Sequence, residues 1–505
     1  MIKGKLVGWI AASIIGVLVA DSSYANYRAA QALLAKKRYM QAAPEFFKAY
    51  SYPTNRIERV NAEYGLARSL EGVGLNYSAS YYYSLIVRKG TRNPYFKNAL
   101  EALGRIDQKV NLGRAHVSQL LKKSINPAAV PGKARGFFFY YQGLEAFSDQ
   151  KWNLASQNFT RVNSSSKYYA KAQFHLGVIA SLRGQHSRAI SLFEKAKRDG
   201  SRALRTQANL NIARVNYERK NFRRSFKYYA MVDRLSDYWL DTIFESSWAF
   251  FILKKHNNTL GNIHTIHSPF FDERFYPEAY ILQAITFLRL CQYEQVKQSL
   301  VLFQKRYRPI NKALNRLLDD YQGRPAPFYN MVNSYHRGSL NKFENVWSII
   351  NALARTDMFK EAKRTISAGD RELSKLGNAP NKWQQVGLYE ELEAFLKNKK
   401  VASIRKSGRE LLSAARGYKS YLRNLSNQTK FIQLERNMGK INKLREKLNV
   451  RQAEKDDVNF IGGLQELQVG QDLEYWPFQG EYWEDELGGY VYNVNSSCSS
   501  GAPKK

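Results

Sequence analysis

Cysteine is scarce in this sequence, which has only Cys291 and Cys498 in 505 residues. Two cysteines cannot build a disulfide framework, and neither belongs to a paired motif of the kind that holds zinc. Cys291 follows the apolar residues Phe287, Leu288 and Leu290, so we expect it to behave as a small buried hydrophobic residue. A bridge between Cys291 and Cys498 is the alternative, and it would require an oxidising compartment.

Acidic residues are also few, since 43 Asp and Glu stand against 78 Lys and Arg and give a formal net charge of +35. Such a charge favours acidic partners, anionic lipid, anionic wall polymer or nucleic acid. A basic, solvated surface without a specific anionic ligand is the alternative. Proline is scarce as well, with 13 residues against 33 tyrosines, and this balance suits helices that pack through aromatic side chains.

The sequence lacks the common catalytic motifs. It has no glycine-rich phosphate loop and no Gly-x-Ser-x-Gly elbow. The segment 245–248, Glu-Ser-Ser-Trp, resembles the Glu-Ser-x-aromatic motif of lytic transglycosylases, in which the Glu is the general acid that cleaves wall glycan. The Gly-Leu-Met-Gln segment that follows in that family is absent. We therefore predict no enzymatic activity and no cofactor.

Histidine is rare, and His256, His264 and His267 form the one cluster in the sequence. The spacing of His264 and His267 can place two rings on one face of a helix. Only the more distant Asp272 could add a metal ligand. We therefore expect ordinary core or surface histidines and no metal site.

The amino terminus has the pattern of a secretory signal peptide. Lys3 and Lys5 precede the apolar run 6–20, and Ser23 and Ala25 place small residues at −3 and −1 of a cleavage site. We predict a signal peptide over 1–25, cleavage after Ala25, and a periplasmic mature chain that meets no nucleic acid. An uncleaved segment that anchors the chain in the inner membrane is the alternative, although the run is shorter than the roughly 20 residues of a span.

Small and aromatic residues recur at a steady period from residue 26 onward. Counted at one position of each unit, the spacing is 34 to 39 residues, which is typical of stacked helix pairs. Each pair is too small to bury its own apolar face, so its neighbours must bury it. The recurring position is occupied in turn by Ala42, Ala79, His116, Ala155, Ala189, Ser225, Gly261 and Val296.

The unit 169–200 carries the fullest set of these residues. Gly177 and Ala189 are small where two helices approach closely, while His186 and Phe193 fill the space beside them. This pattern resembles the tetratricopeptide repeat, or TPR. The resemblance implies an all-α protein whose residues 26–309 form a right-handed αα-solenoid of about eight helix pairs, with a concave groove that binds segments of partner proteins.

In TPR arrays, defined positions of each first helix line the groove. Carried onto the matching units, the resemblance implies that Lys171 and Arg214 bind acidic groups of a ligand and that Tyr140 and Tyr217 offer flat contacts. The full set of groove candidates is Tyr140, Lys171, Phe174, Gln207, Arg214, Tyr217 and Arg289.

The steady register ends at Pro309, which we expect to close the last pair. Residues 310–380 predict a degenerate helical repeat and a linker, with a further helix pair at 340–370. Residues 381–455 contain a seven-residue apolar repeat from Ile404 to Ile432 and a second apolar run over 431–448. They predict long amphipathic helices, either a hairpin with its turn at 424–428 or a coiled coil. A helix that caps the array is the alternative.

The tail, 456–505, changes character. Its first 48 residues contain no Lys or Arg, and with nine acids and two final lysines its charge is −7, which leaves +42 on residues 1–455. We predict that 472–490 docks on a basic surface of this chain or of a neighbour, with Trp476, Phe478 and Trp483 as buried contacts. A tail whose aromatics cover the apolar face of the long helices is the alternative.

The parts together predict an exported, non-enzymatic scaffold that binds protein partners within a cell-envelope complex, without a small-molecule substrate. The signal peptide, the array, the segment 268–279 and the aromatic tail also resemble exported TPR proteins of deltaproteobacteria, some of which are linked to gliding-motility machinery of the envelope. The alternative function is a peptidoglycan-associated factor or an accessory to a wall enzyme.

Overall fold

The computed structural model describes residues 27–121, 125–335, 345–453 and 480–498. Within these ranges the chain is built from helices and contains no β-strand, so the predicted all-α class is confirmed. The predicted signal peptide and the tail residues Trp476 and Phe478 lie outside the described residues. None of the described helices is long and apolar enough to cross a membrane.

Up to residue 320, the described chain forms eight successive helix pairs, the predicted TPR-like array, and a short turn joins the two helices of each pair. The pairs are α1 (27–35) with α2 (Tyr39–Ser51), α3 (Arg56–Val73) with α4 (Asn76–Arg88), α5 (Phe96–Val110) with α6 (Arg114–Leu120), α7 (Gly132–Ser148) with α8 (Trp152–Thr160), α9 (Tyr169–Leu182) with α10 (His186–Asp199), α11 (Arg202–Glu218) with α12 (Phe222–Ala230), α13 (Trp239–Ile252) with α14 (His256–Ile266), and α15 (Glu278–Arg289) with α16 (Tyr293–Asp320). The helices that follow are α17 (Pro325–Tyr335), α18 (Trp347–Arg355), α19 (Asp357–Leu376), α20 (Asn381–Gln385) and α21 (Leu388–Ala453).

Each turn within a pair contains a left-handed residue whose φ lies between 50° and 88°, and the third turn contains a second one, Gly113, after Asn111. This conformation lets a helix end and the chain reverse. In seven of the eight pairs, the recurring position predicted from the sequence lies five residues after the first left-handed residue of the turn. The exception is the seventh pair, where that position is the fully buried Thr259, so the prediction of Gly261 is wrong by two residues. The left-handed residues are Lys37, Gly74, Asn111, Gln150, Gly184, Lys220, Lys254 and Cys291.

Glycines in the first helices make room for aromatic rings of the second helices, as the sequence predicted. A Cβ on Gly143 would lie 2.6 Å from the ring of Phe159, and a Cβ on Gly177 would lie 2.7 Å from the ring of Phe193. Both rings are fully buried. The close approach of the two helices in a pair therefore depends on these missing side chains.

The chain divides into two compact units. Unit 1 consists of Met1–Ala208 and Thr356–Glu410, and unit 2 consists of Asn209–Arg355 and Leu411–Lys505. The helices predicted at 340–370 exist as α18 in unit 2 and α19 in unit 1. The division into two compact units does not test the domain boundaries predicted from the sequence, and these boundaries stay predictions.

In unit 1, α19 and α20 pack against the early helix pairs. The buried carboxylate of Glu372 accepts hydrogen bonds from the backbone N–H groups of Tyr77 (2.6 Å) and Ser78 (3.1 Å). These groups lie in the first turn of α4, where N–H groups have no partner within the helix. The fully buried Trp383 donates from Nε1 to the carbonyl of Met40 at 2.9 Å. Residues that follow the array thus complete the core of its first pairs.

In unit 2, two predicted breaks are wrong. Helix α16 does not end at Pro309 but continues to Asp320. Helix α21 is uninterrupted over its 66 residues, so the turn predicted at 424–428, and with it the hairpin, is absent. The seven-residue repeat does form a buried face in this unit, because Leu411, Leu425 and Ile432 are at most 6% exposed.

Candidate functional site

The groove candidates of unit 1 do not form one exposed surface. Tyr140 is 7% exposed and its ring stacks on that of Tyr168, with 5.3 Å between the centroids. Lys171 is exposed, while Phe174 is half-buried against Phe193 and Gln207 is half-buried. Tyr140 is therefore a core residue, and its prediction as a flat ligand contact is wrong.

In unit 2, Arg214 is already paired within the chain. Its guanidinium contacts the carboxylate of Glu245 at 2.6 Å, and the Tyr229 hydroxyl donates to the same carboxylate at 3.1 Å. The role of Arg214 in binding an acidic group of a ligand stays a prediction. Glu245, the acid of the segment that resembles the lytic transglycosylase motif, has the contacts of a structural ion pair.

The other two candidates of unit 2 have different environments. The ring of Tyr217 is half-buried and packs edge to face on that of Phe222 at 5.5 Å. The side chain of Arg289 is exposed. Burial, with a contribution from the charge of Glu245, raises the pKa of Tyr217.

A cavity of about 600 Å³ lies in unit 1, where α4 and α6 face α19 and the first turns of α21. A concave site of this size is the usual form of a ligand pocket. Four cations and two acids line it, so its formal charge is positive. The charged lining residues are Arg88, Arg114, Glu361, Lys399, Lys406 and Glu410.

Lys399 is the most unusual residue of this cavity. Its Nζ atom is buried and has no hydrogen-bond partner in unit 1, although it lies 3.9 Å from the centre of the Tyr77 ring. Burial lowers the pKa of the Lys399 amine well below its usual range, and the nearby carboxylate of Glu372 opposes this shift. The hydroxyl of Ser407, which also lines the cavity, is buried without a partner. Both groups can donate to an anionic ligand.

His116 contributes a neutral ring to the cavity wall. Its Nε2 lies 2.9 Å from the hydroxyl of Ser80, and that hydroxyl donates to the carbonyl of Tyr77. The imidazole therefore carries its hydrogen on Nε2 and donates it to Ser80. Burial, Lys399 and Arg88 hold the pKa of His116 well below its usual range. The positive charge of the cavity thus comes from lysine and arginine side chains.

Sequence reasoning missed this cavity, because helices from two distant parts of the chain form it. One signal was available. His116 occupies the recurring position that holds alanine, serine or another uncharged residue in the other pairs. A large polar side chain at that position indicates that the side chain does not pack against the first helix of its own pair alone, and in this structure it lines the cavity.

A second candidate surface lies in unit 2 and binds the carboxyl-terminal strap, defined as residues 480–498. The strap donates from the backbone of Gly488 to the Thr265 hydroxyl at 2.9 Å and from the backbone of Tyr492 to the carbonyl of Asn257 at 3.1 Å. Arg234 donates to the carbonyls of Glu484 (2.6 Å) and Leu487 (3.1 Å). Helix α14 and Arg234 therefore bind the strap largely through the main chain of the strap.

Aromatic rings around His264 complete the binding of the strap. The ring of Tyr482 stacks on His264 at 4.6 Å, and the edge of Tyr490 meets it at 4.9 Å. Trp483 is 52% exposed, so its prediction as a buried contact is wrong. A Cβ on Gly261 would lie 1.7 Å from the carbonyl oxygen of Tyr490. Gly261 is thus small because the strap crosses it there.

A disulfide between Cys291 and Cys498 closes the strap onto the turn between α15 and α16. The interpretation of Cys291 as a free buried thiol is wrong, and the alternative pairing is the one present. The two cysteines are 207 residues apart in the sequence. The disulfide therefore holds the end of the strap independently of the hydrogen bonds that the strap makes. Within the described residues, no group of three or more His, Cys, Asp or Glu comes together as a metal site.

No protein-family model matches the chain, and no curated protein matches it either. Among solved structures, the chain is similar to the crystal structure of the P58(IPK) TPR domain, at 12% sequence identity over 76% of this chain and 99% of that domain, with a TM-score of 0.21. A score this low carries no argument about shared topology. The description of the fold as a TPR-like array of helix pairs rests on the eight pairs and their left-handed turns.

Proposed function

We propose that this protein is an exported, non-enzymatic scaffold that binds segments of partner proteins through the cavity of unit 1. The observation that carries the proposal is the buried Nζ of Lys399, which has no hydrogen-bond acceptor. Placing an amine there is unfavourable for folding unless an acceptor arrives later. A carboxylate of a partner segment would supply that acceptor, and Arg88 and Arg114 in the lining favour the same charge.

A capture experiment tests this proposal. The chain is immobilised, and binding of proteins from envelope extract is compared for wild type, Lys399→Met and Lys397→Met. Lys397 lies on the same helix but is exposed and paired with Glu393 at 2.9 Å, so its loss is the matched control. We expect Lys399→Met to lose most of the captured partner and Lys397→Met to retain it. Equal capture by both variants would contradict the assignment of the cavity.

The export part of the proposal is supported by the pairing of Cys291 with Cys498, since stable disulfides form mainly in oxidising compartments. It is supported independently by the basic and apolar start of the sequence. Protein purified from its own cells should begin at Asn26 and be lighter by two hydrogens than its reduced form. A chain that begins at Met1 in the membrane fraction would favour the anchored alternative, and a reduced cytoplasmic chain would contradict export.

The charges of the cavity and of the whole chain indicate which classes of partner to expect. An acidic segment of an envelope protein fits the cavity, and a role in a gliding-motility complex of the envelope is one such setting. The net charge of +35 also favours a second candidate, a factor that associates with anionic wall polymer. Sedimentation with purified sacculi separates the two, because wall binding would survive Lys399→Met and fall as salt is raised.

A further inference from the structure

An apolar stripe runs along one side of the last part of α21. Phe431, Leu434, Met438, Ile441 and Leu444 are each between 49% and 69% exposed. Their spacing of three or four residues places them on one face of the helix. A contiguous exposed apolar face of this kind indicates an interaction surface.

The opposite side of this helix is the one that packs within unit 2. Arg436 donates from Nε to the carbonyl of Tyr293 at 3.1 Å, and Gly439 lies against the Tyr293 ring. At 100° per residue, these two positions lie nearly opposite Leu434 and Ile441. The apolar stripe is therefore separate from the buried seven-residue repeat and faces away from the core of unit 2.

The charges beside the stripe indicate what covers it. When Phe431 and Met438 take heptad position a, Lys430 takes position g and Glu435 takes the following position e. In a parallel pair of helices, position g of one helix faces position e of the other, five residues further on. Lys430 of one chain would then meet Glu435 of a second chain, and both side chains are exposed.

We propose that the stripe 431–444 pairs with the same stripe of a second copy as a short parallel two-stranded coiled coil. An antiparallel pair would set g against g, where Lys430 finds no acid, because the next g residues are Asn437 and Leu444. An anionic membrane is a poorer fit, because it would attract Lys430 and Arg445 but repel the exposed Glu435. The parallel pair instead places a cation opposite Glu435.

The affinity between the two copies is limited by the short length of the stripe. Five large apolar side chains from each copy bury on the order of 1,000 Å², which is the lower limit for a specific interface. We therefore expect a dissociation constant of roughly micromolar size. Because both helices are already folded in their units, little chain entropy is lost on pairing.

Sedimentation equilibrium of the purified chain across micromolar concentrations tests the proposal. Lys430→Glu sets like charges opposite one another in the parallel register, and so does Glu435→Lys. Each should weaken the dimer roughly tenfold. The double variant restores opposite charges and should recover the wild-type constant within about threefold. Circular dichroism checks that each variant retains its helix content.

Three results would overturn the proposal. The first is a chain that remains monomeric throughout the concentration range. The second is a double variant that dimerises no better than the single variants. The third is a monomer in solution whose Leu434→Glu variant loses binding to phosphatidylglycerol vesicles, since this would assign the stripe to a lipid surface.

Discussion

At the scale of single residues, the chain places polar side chains where packing alone would not. Lys399 buries an amine without an acceptor, while His116 and His175 bury neutral rings. Each of these groups lowers the free energy of unfolding at a pH where it would be charged in water, since burial disfavours the charged form. Residues of this kind are expected at binding sites, where stability is given up for recognition. Of these three residues, only Lys399 and His116 line the cavity.

Replacing Lys399 with methionine should raise the stability of the empty protein. The amine is buried without a hydrogen-bond acceptor, and a methionine of similar length would remove its desolvation cost while filling the same space. We expect a gain of about 1 kcal/mol, with loss of capture. Thermal unfolding without a partner measures the change. A loss of stability instead would indicate that Lys399 supports the core through Tyr77 and Glu372.

Stability should fall between pH 6.5 and pH 4 because of His175. Burial, with a contribution from Lys171, lowers the pKa of His175 from 6.5 to about 4. Between these values the unfolded chain binds a proton that the folded chain does not, so acid favours unfolding. The slope is about 1.4 kcal/mol per pH unit for such a group.

The variant His175→Phe isolates that residue. Its ring stacks on Phe159 at 5.1 Å, so phenylalanine can occupy the same space without a proton to gain. Urea unfolding at pH 7 and at pH 4.5 should show a smaller difference for His175→Phe than for wild type. His267, whose pKa burial lowers to about 3, should keep part of the slope in both proteins. An unchanged slope in the variant would contradict the shift.

At the scale of elements, periodic features were predictable and contacts between distant helices were not. The spacing of the small residues predicts the helix pairs because each pair packs against its neighbour by the same local rule. Pro309 and the turn at 424–428 were misjudged because helices α16 and α21 continue where local signals predict an end. The cavity was missed because Lys399 meets His116 only after α19 and α21 pack on the early pairs.

The strap on α14 provides the clearest test at this scale. Gly261→Ala places a Cβ where the carbonyl oxygen of Tyr490 lies, so the strap must lift from the helix. We expect cleavage within the strap by protease to become roughly tenfold faster, since its opening becomes more favourable. Gly417→Ala on α21 is the control, because its Cβ would meet no atom within 4 Å. Similar protection of the strap in both variants would contradict its close contact with Gly261.

At the scale of the whole molecule, net charge and the disulfide are the two properties that bear on the proposed function. The excess of +35 favours acidic partners in general, whereas in the proposed function the cavity of unit 1 would select among them by shape and by the buried amine of Lys399. The disulfide between Cys291 and Cys498 supports the proposed export. The prediction of an acidic partner came from composition alone and stays a prediction, while the cavity could be found only in the folded chain.

Site-specific photocrosslinking in cells tests the central claim most directly. A benzophenone amino acid is placed at Ala402, an exposed residue of the cavity lining, and at Leu182 in the same unit, which is 63% exposed and lies outside the cavity. We predict that Ala402 crosslinks to one protein through an acidic segment, and that Leu182 does not. Crosslinks of equal yield from both positions, or none from Ala402, would contradict the account.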